Sequence, residues 1–430
     1  MHRVQQAGYL ITRRAEDADA IVVNTCCFIQ PALVEADREI RQALRYRRRG
    51  RCRAVIVSGC LPQYLQERRF VQYPEVDAWL SPDNPTEIVK VLTAALQGEA
   101  QKAPSRFGLP EYLATAAEGR LLSTPPSLAY VKIAEGCDHR CRFCIIPNLR
   151  GRYRSRATAD IEEEVRWLTA RGVAEIVLVS QDSASYGRDL DSANLIELLA
   201  RLVEIPGDFW LRVMYLHPAY LNAEMLTSWS ALGPKLLPYF DIPVQHVSAP
   251  VLEAMGRQGD RKTTDELFAR IRAVCDQAMI RTTLLVGYPG ETKAQFEELL
   301  DWVQAGPVDH LGVFAYSDLP EMRSHRLVEQ VAEAVKEQRR ELLLAAQVPV
   351  VARRQQAQVN SHQIVLVDHA HQTNHGWRGT GRSWRDAFEI DGVVHLTSVH
   401  PIRAGHKVKA QITHAEGYDL KARVVAGHCR

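Results

Sequence analysis

Between residues 127 and 356 the chain repeats one pattern six times, a short apolar β-type run followed by a helical stretch. The runs start near Ala129, Glu175, Phe209, Leu237, Ile280 and His310. Helical segments fill the gaps, as over 160–170, where Asp160 and Glu163 form a capping-box pattern. Apolar strands alternating with helices predict a parallel sheet. Six βα units of roughly 30–40 residues fit a (β/α)6 partial TIM barrel, with its chemistry at the carboxyl ends of the strands.

Two further regions flank this core. Residues 1–105 alternate β-rich runs at 20–24, 54–58 and 76–80 with helices at 31–45 and 85–97, which predicts a doubly wound parallel-sheet domain. It opens on a helix where such a sheet normally opens on a strand, so a first strand is expected to be missing. Residues 106–126, rich in Ala, Gly, Ser, Thr and Pro, read as a linker. Residues 357–430 carry β runs at 364–367, 393–397, 407–412 and 422–425, the pattern of a small all-β barrel of the oligonucleotide-binding or TRAM type.

The sharpest chemical feature is Cys137-x3-Cys141-x2-Cys144, which leaves the first strand of the core. The chain has nine cysteines, an odd number, and no secretory feature opens it. Its longest uncharged stretches, such as 20–34, are too short and polar to span a bilayer. Reduced thiols in the cytoplasm follow. Thiolates are soft ligands for iron–sulfur clusters or zinc. Three of them on a 4Fe–4S cluster leave one iron open to the amino and carboxylate groups of S-adenosylmethionine. One electron then cleaves that molecule to a 5′-deoxyadenosyl radical, chemistry that belongs to the cofactors while the protein orients them. The competing reading is a structural zinc site with His139 as fourth ligand. Cys26 and Cys60 each follow a strand of the first region, where a doubly wound sheet places its ligands. Cys27, Cys52, Cys275 and Cys429 have no such context and read as structural.

These motifs together resemble the radical SAM methylthiotransferases. The resemblance rests on Asn24-Thr25-Cys26, Gly59-Cys60-Leu61-Pro62-Gln63, the three-cysteine loop running into Ile145-Ile146-Pro147 and Arg150-Gly151, and the terminal β barrel. Further stretches are similar to the RimO branch, which modifies a ribosomal protein, rather than the MiaB branch, which modifies transfer RNA. They are Val179-Ser180-Gln181-Asp182, Asp241 to His246, Gly287-Tyr288-Pro289-Gly290-Glu291-Thr292, Gly312 to Ser317, and Gly381 to Asp386 leading to Gly392.

The resemblance implies a methylthio group added to the β-carbon of an aspartate in small-subunit ribosomal protein number twelve. It implies two 4Fe–4S clusters and S-adenosylmethionine, a sulfur donor, and an electron donor such as flavodoxin or ferredoxin. Cys137, Cys141 and Cys144 would hold one cluster, and Cys26 and Cys60 the second. The family's third ligand to the second cluster is expected upstream of Met1. Phe143, Gln181, Asp182, Gln245, His246, Gly287 and Gly290 are candidate contacts to cofactor or substrate, the two glycines because backbone can approach a nucleoside where no side chain intervenes. The alternatives are a transfer-RNA methylthiotransferase and a zinc-stabilised, ribosome-associated RNA-binding protein that is not an enzyme.

Charge separates these readings only weakly. From Ser361 the chain holds nine Lys/Arg and six Asp/Glu. The Asp386, Glu389 and Asp391 cluster is expected to repel phosphate and suit a basic ribosomal protein. The arginine run from Arg45 to Arg53 is expected to be a solvated helix end or an RNA contact. Trp377 and Trp384 are expected in the barrel core or at a contact.

Overall fold

The computed structural model describes residues 1–99, 108–191 and 193–425; Cys429 lies outside them. Contacts divide the chain into two compact units. One comprises residues 1–121, 135–154 and 317–326, the other 122–134, 155–316 and 327 onward.

In the first unit, β1 (Ala20–Thr25), β2 (Ala54–Gly59) and β3 (Ala78–Leu80) form a parallel sheet in that order. The central strand is apolar because both its faces are covered. Ala54 and Ile56 pack with Ala78, Leu80, Val91, Leu92 and Ala95, the last three from the helix Ile88–Leu96. At the edge strand β1 the cover thins, and Val22 is exposed. Gln30–Arg49 forms one helix, with Pro31 in its first turn, where a missing N–H costs nothing.

The arginines at its end are mostly solvated, as one of the two expectations had it, and several of them are ion-paired. Arg47 pairs with Asp77 at 2.8 Å, Arg48 with Glu75, and Arg51 with Asp19 at 2.9 Å, while Arg53 donates to the Leu96 carbonyl at 2.6 Å. They tie the helix end and the following loop to the start of the sheet, and Arg45 and Arg49 are exposed.

The core of the second unit is built on six strands: β4 (Leu128–Lys132), β5 (Glu175–Val179), β6 (Trp210–Val213), β7 (Tyr239–Asp241), β8 (Met279–Val286) and β9 (His310–Ala315). They pair in parallel as two trios, β4-β5-β6 and β7-β8-β9. The trios are joined by Leu211 N–H to the Lys235 carbonyl (2.7 Å) and Leu237 N–H to the Leu211 carbonyl (2.9 Å). Ile176, Leu178, Leu211, Val213, Phe240, Ile280 and Leu284 are fully or almost fully buried against the surrounding helices. Each such side chain contributes roughly 1.5–3 kcal/mol by leaving water.

One helix start differs from expectation. The helix runs Thr158–Thr169 without a side-chain cap, and Asp160 lies inside it, paired with Arg156 at 2.5 Å. Arg156 also holds Glu164 at 2.7 Å, so the acidic residues serve an ion-pair cluster rather than a capping box.

The terminal region is a closed five-stranded barrel, β10 (His362–Thr373), β11 (Gly376–Ser383), β12 (Val394–Ser398), β13 (Lys407–Glu416) and β14 (Asp419–Val424), in the order β10-β11-β12-β14-β13. Four runs were expected; β11 is the fifth. Its glycines hid it, and packing requires them. A Cβ on Gly379 would lie 2.4 Å from the His369 carbonyl oxygen, and one on Gly381 2.4 Å from that of Leu366.

The segment after β11 contradicts the expectation of an acidic surface. Asp386 and Asp391 are buried in ion pairs and hydrogen bonds. Tyr239 Oη donates to Asp391 at 2.6 Å, Arg281 lies 3.6 Å from Asp391 and 2.9 Å from Asp241, and Ser383 Oγ donates to Asp386 at 2.8 Å. Burial pushes the Asp386 carboxyl above its usual range. Beside this group Glu175 takes Arg212 at 2.7 Å and Arg382 at its other oxygen, and Arg382 takes Asp368 at 2.9 Å. Burial pushes Glu175 up, yet the two guanidinium charges outweigh it and hold the carboxyl below its usual range. Arg212 also donates to the Trp384 and Asp386 carbonyls. These acids fasten the terminal barrel to the amino-terminal ends of β5–β9. Trp384 packs in the same junction, and Trp377 against the interior of the small barrel.

Candidate functional site

In the first unit the three-cysteine loop is fixed by backbone geometry. Gly136 has φ +79°, and a Cβ there would lie 2.0 Å from the Arg152 carbonyl oxygen, so only glycine fits. Cys137 N–H donates to the Gly151 carbonyl at 3.2 Å, and Tyr153 N–H to Asp138 Oδ1 at 3.1 Å. Cys144 N–H closes a turn on the Cys141 carbonyl at 3.2 Å. The Ser324 N–H and hydroxyl both donate to the Arg142 carbonyl. Cys137 is buried; Cys141, Phe143, Cys144 and His139 are half-buried.

The eight described cysteines are in no disulfide. Among the described residues no three His, Cys, Asp or Glu side chains converge as ligands of one metal ion. A cubane cluster asks for separate thiolates, one on each of three irons. Three thiols on a pinned, half-buried loop are the donor chemistry of such a cluster, and the residues fit it.

The ends of β1 and β2 bring further thiols together. The register Thr25↔Gly59 carries Cys26 and Cys60 to neighbouring strand ends. Thr25 Oγ1 donates to the Ser58 carbonyl at 2.6 Å, and Gly59, at φ +93°, turns the chain into the short helix Cys60–Leu65. Cys26 is exposed. Cys27 is fully buried, and it is the Cys27 thiol that hydrogen-bonds to Cys60.

Arg150, at the end of the short helix after the cysteine loop, also bonds to Cys60 and pairs with Glu135 at 3.3 Å. The Cys27 hydrogen bond, against the opposing effect of burial and with help from the Arg150 charge, pulls the Cys60 thiol down to about 6; the Cys27 thiol is pushed up. Sequence reasoning assigned no site role to Cys27 or Arg150. Arg150 stood in a quoted motif, but nothing in its spacing pointed to Cys60.

In the second unit the remaining candidates lie at carboxyl ends of strands, and they divide. Asp182 is buried and its carboxylate serves its own loop: it accepts from the Ala184 N–H (3.1 Å), the His217 N–H (3.2 Å) and the Ser185 hydroxyl (2.6 Å). Gln181 is half-buried, with Oε1 lacking a partner. Gln245 holds φ +70° and bridges to β8 through both backbone groups, to the Thr283 carbonyl and from the Leu285 N–H. His246 is fully buried. Its Nδ1 accepts from the Ser248 N–H at 2.9 Å, which leaves the proton on Nε2, 4.0 Å from Glu291 Oε1. Burial first, and Arg339 second, lower its pKa to about 3, so the ring is neutral.

Glu291 was not among the candidates, yet it organises the glycine loop. One oxygen accepts from the Gly287 and Tyr288 N–H groups, and the other meets Arg339 at 3.1 Å. Burial raises its pKa to about 7 against Arg339 and the two amides. At Gly287 (φ +72°) a Cβ would lie 2.3 Å from Lys336 Cγ. Gly290 (φ +84°) donates to the Glu329 carbonyl at 2.8 Å. A cavity of about 790 Å³ in this unit lies elsewhere, at the amino-terminal ends of the strands, lined by Trp210, Lys235, Trp384 and Lys407 among others.

The chain matches three family models: the uncharacterized protein family UPF0004 over residues 1–81, the radical SAM superfamily over 131–303, and the TRAM domain over 361–425. It is 40% identical over 424 residues to the ribosomal protein uS12 methylthiotransferase RimO of Desulforudis audaxviator, covering 98% of this chain and 92% of that one. It is 38% identical to the protein of the same name from Syntrophus aciditrophicus, covering 98% and 94%. Among solved structures, the radical S-adenosylmethionine methyltransferase TsrM of Kitasatospora setae superposes with a TM-score of 0.53 at 17% identity, over 71% of this chain and 66% of that one, a likeness of fold alone.

Proposed function

The chain belongs to the family of ribosomal protein uS12 methylthiotransferases, and we propose on that premise that it adds a methylthio group to the β-carbon of an aspartate of uS12. The single observation that carries the reading is the similarity to these enzymes across 98% of the chain.

Cys137, Cys141 and Cys144 are the proposed ligands of a 4Fe–4S cluster, and Phe143 packs within the same loop. When bound, that cluster and S-adenosylmethionine supply one-electron cleavage of a carbon–sulfur bond and hydrogen abstraction from carbon. The protein's own part is positional. Gly136 and the hydrogen bonds to Gly151 and Tyr153 hold the cysteine loop in one conformation. Gln181 and Gln245 offer polar groups at strand ends, where such folds bind ligands. Glu291, gripping the Gly287 and Tyr288 amides, sets the shape of the loop after β8. Neutral, buried His246 supports that carboxylate from behind. Asp182 braces the loop after β5.

Cys26 and Cys60 are the proposed ligands of a second 4Fe–4S cluster, with Arg150 beside Cys60 offsetting negative charge. A sulfur donor and a one-electron donor of flavodoxin or ferredoxin type complete the set of partners, and the cytoplasm is the proposed compartment. Among the described residues no helix is long and apolar enough to cross a membrane.

The test is the mass of uS12 from a strain lacking the gene, with transfer-RNA nucleosides measured alongside. Loss of the methylthio mass from uS12 alone is the expected result. Loss from a transfer-RNA adenosine instead would transfer the chemistry to the other branch of the family. For the metal sites, Cys141→Ala and Cys60→Ala are each expected to lose about half of the iron bound by the anaerobically reconstituted parent. Unchanged iron in either variant would remove that cysteine from the ligand set.

A further inference from the structure

The strands β4–β9 turn one face to the covering helices and the other to the lumen they enclose. Ala129, Val131, Leu211, Val213 and Val313 belong to the helix-packed core, so the alternate residues Tyr130, Arg212 and Phe314 face the lumen. Its lower part is closed by the segment after β11: Ala387 is buried among Leu128, Val177, Trp210 and Met279, and Phe388 packs against the same group. Its upper part is open, with Phe314 49% and Tyr215 42% exposed. Tyr215 follows β6 with its N–H bonded to the lumen carboxylate Asp241 at 3.1 Å, and it holds φ +62°, a conformation that bulky side chains avoid.

The closing segment ends in a tight turn with a strained tip. The Ile390 and Asp391 N–H groups donate to the Ala387 carbonyl at 3.2 and 3.1 Å, and the Ala387 N–H donates back to Asp391 Oδ2 at 2.9 Å. Asp391 is clamped in turn by Tyr239 and Arg281. Glu389, at the tip, is forced to φ +57°. Of the three acids in this segment its side chain is the exposed one, and among the described residues it makes no ion pair or hydrogen bond. The phenol of Tyr130, on β4, is pushed up by burial first and then by charges of which Glu389 is one. That influence sets the Glu389 carboxylate on the lumen side of the turn, near the Tyr130 ring, as the floor of the open part.

Backbone strain persists where the surroundings over-determine it, and it clusters where a side chain is put to use. A carboxylate without a partner, beside aromatic rings, is a receptor for one cation: it accepts the N–H groups of an arginine or lysine while the ring faces attract the charge. The same carboxylate repels a phosphodiester. We propose that Glu389 receives a cationic side chain of the uS12 segment that carries the target aspartate, and thereby selects a basic protein over a nucleic acid as substrate. The identity of the substrate rests on the family reading; the position of the carboxylate stands on the fold.

The experiment measures binding of purified uS12, and separately of S-adenosylmethionine, to the anaerobically reconstituted full chain. Glu389→Gln is expected to weaken uS12 binding at least about tenfold, with the affinity for S-adenosylmethionine unchanged. Glu389→Gly, which is free of strain at this φ, is expected to melt no lower than the parent and to show the same loss, which separates recognition from folding. The Lys and Arg residues around the target aspartate of uS12 are then replaced by Gln one at a time. One of them is expected to cost about tenfold with the parent and nothing further with Glu389→Gln. Variants that bind uS12 as the parent does overturn the proposal. So does an equal loss for S-adenosylmethionine, which would assign the carboxylate to the cofactor's own cationic groups, and so does a scan in which every position is additive with Glu389→Gln. A parent that neither binds nor modifies uS12 overturns the family reading together with this one, whereas equal binding by parent and variants overturns this one alone.

Discussion

The two ends of the strands β4–β9 are built on opposite principles. At the amino-terminal end, buried charges are almost fully matched: Glu175 with Arg212 and Arg382, Arg382 with Asp368, Arg281 with Asp241 and Asp391. Among the described residues at that end, His310 Nε2, Gln347 Oε1, Trp229 Nε1 and Gln363 Oε1 have no hydrogen-bond partner. At the carboxyl-terminal end, among the described residues, Gln181 Oε1 and His246 Nε2 lack hydrogen-bond partners, Gln245 sits at positive φ, and Glu291, paired with Arg339 at 3.1 Å, has its carboxyl raised by burial. A matched buried network fixes one arrangement, whereas unmatched polar groups cost free energy unless something else satisfies them. The ends differ in their charges: a dense network of ion pairs joins the two barrels at one, and a single burial-raised carboxyl beside Arg339 stands at the other.

The largest effect is expected where the matching is broken. Arg382→Ala leaves Glu175 and Asp368 buried with too little positive charge, and should cost about 3–5 kcal/mol of stability. Chemical denaturation measures it. If the amino-terminal end only binds the barrels together, S-adenosylmethionine cleavage per folded molecule stays unchanged; a selective loss of turnover would erase the distinction between the ends.

The next effect sharpens the opposite side. Glu291 has its pKa raised in the folded state, so the stability it contributes is full below its unfolded value and is lost as pH rises through about 7. Relative to Glu291→Gln, the parent should therefore lose about 3 kcal/mol of stability between pH 5 and pH 8. Thermal melting of both proteins across that range checks the sign, and parallel curves would show that the carboxylate is not strained. The smallest effect concerns the helix Lys293–Ala305 that follows the glycine loop. Its capping box, Thr292 with Gln295, is complete, and Thr292→Ala should cost about 1 kcal/mol. A KM for S-adenosylmethionine that rises with it would tie the loop's position to its helix; an unchanged KM would confine the loss to stability.

Much of this architecture was legible in the residues. The six core strands begin within two residues of the expected positions, because fully buried strands write themselves as apolar runs. The cysteine loop was legible because ligand spacing is local. What stayed hidden depends on distant pairing. β11 lacks an apolar pattern because neighbouring backbones press on Gly379 and Gly381. Asp391 looks like a surface acid until Arg281 and Tyr239, more than 100 positions earlier, close over it. Cys27 looked inert, and only the folded strand ends show its thiol against Cys60. At Gly287 the neighbour that forbids a side chain is Lys336, which no local motif names.

The contact between Glu175 and Arg382 joins residues 207 positions apart in the chain. A chimaera that grafts another methylthiotransferase's terminal module onto this core inherits half of that lock. Unless both halves travel together, the hybrid carries a stranded charge in its seam, so this module evolves as a matched part of its core and not as an exchangeable cassette.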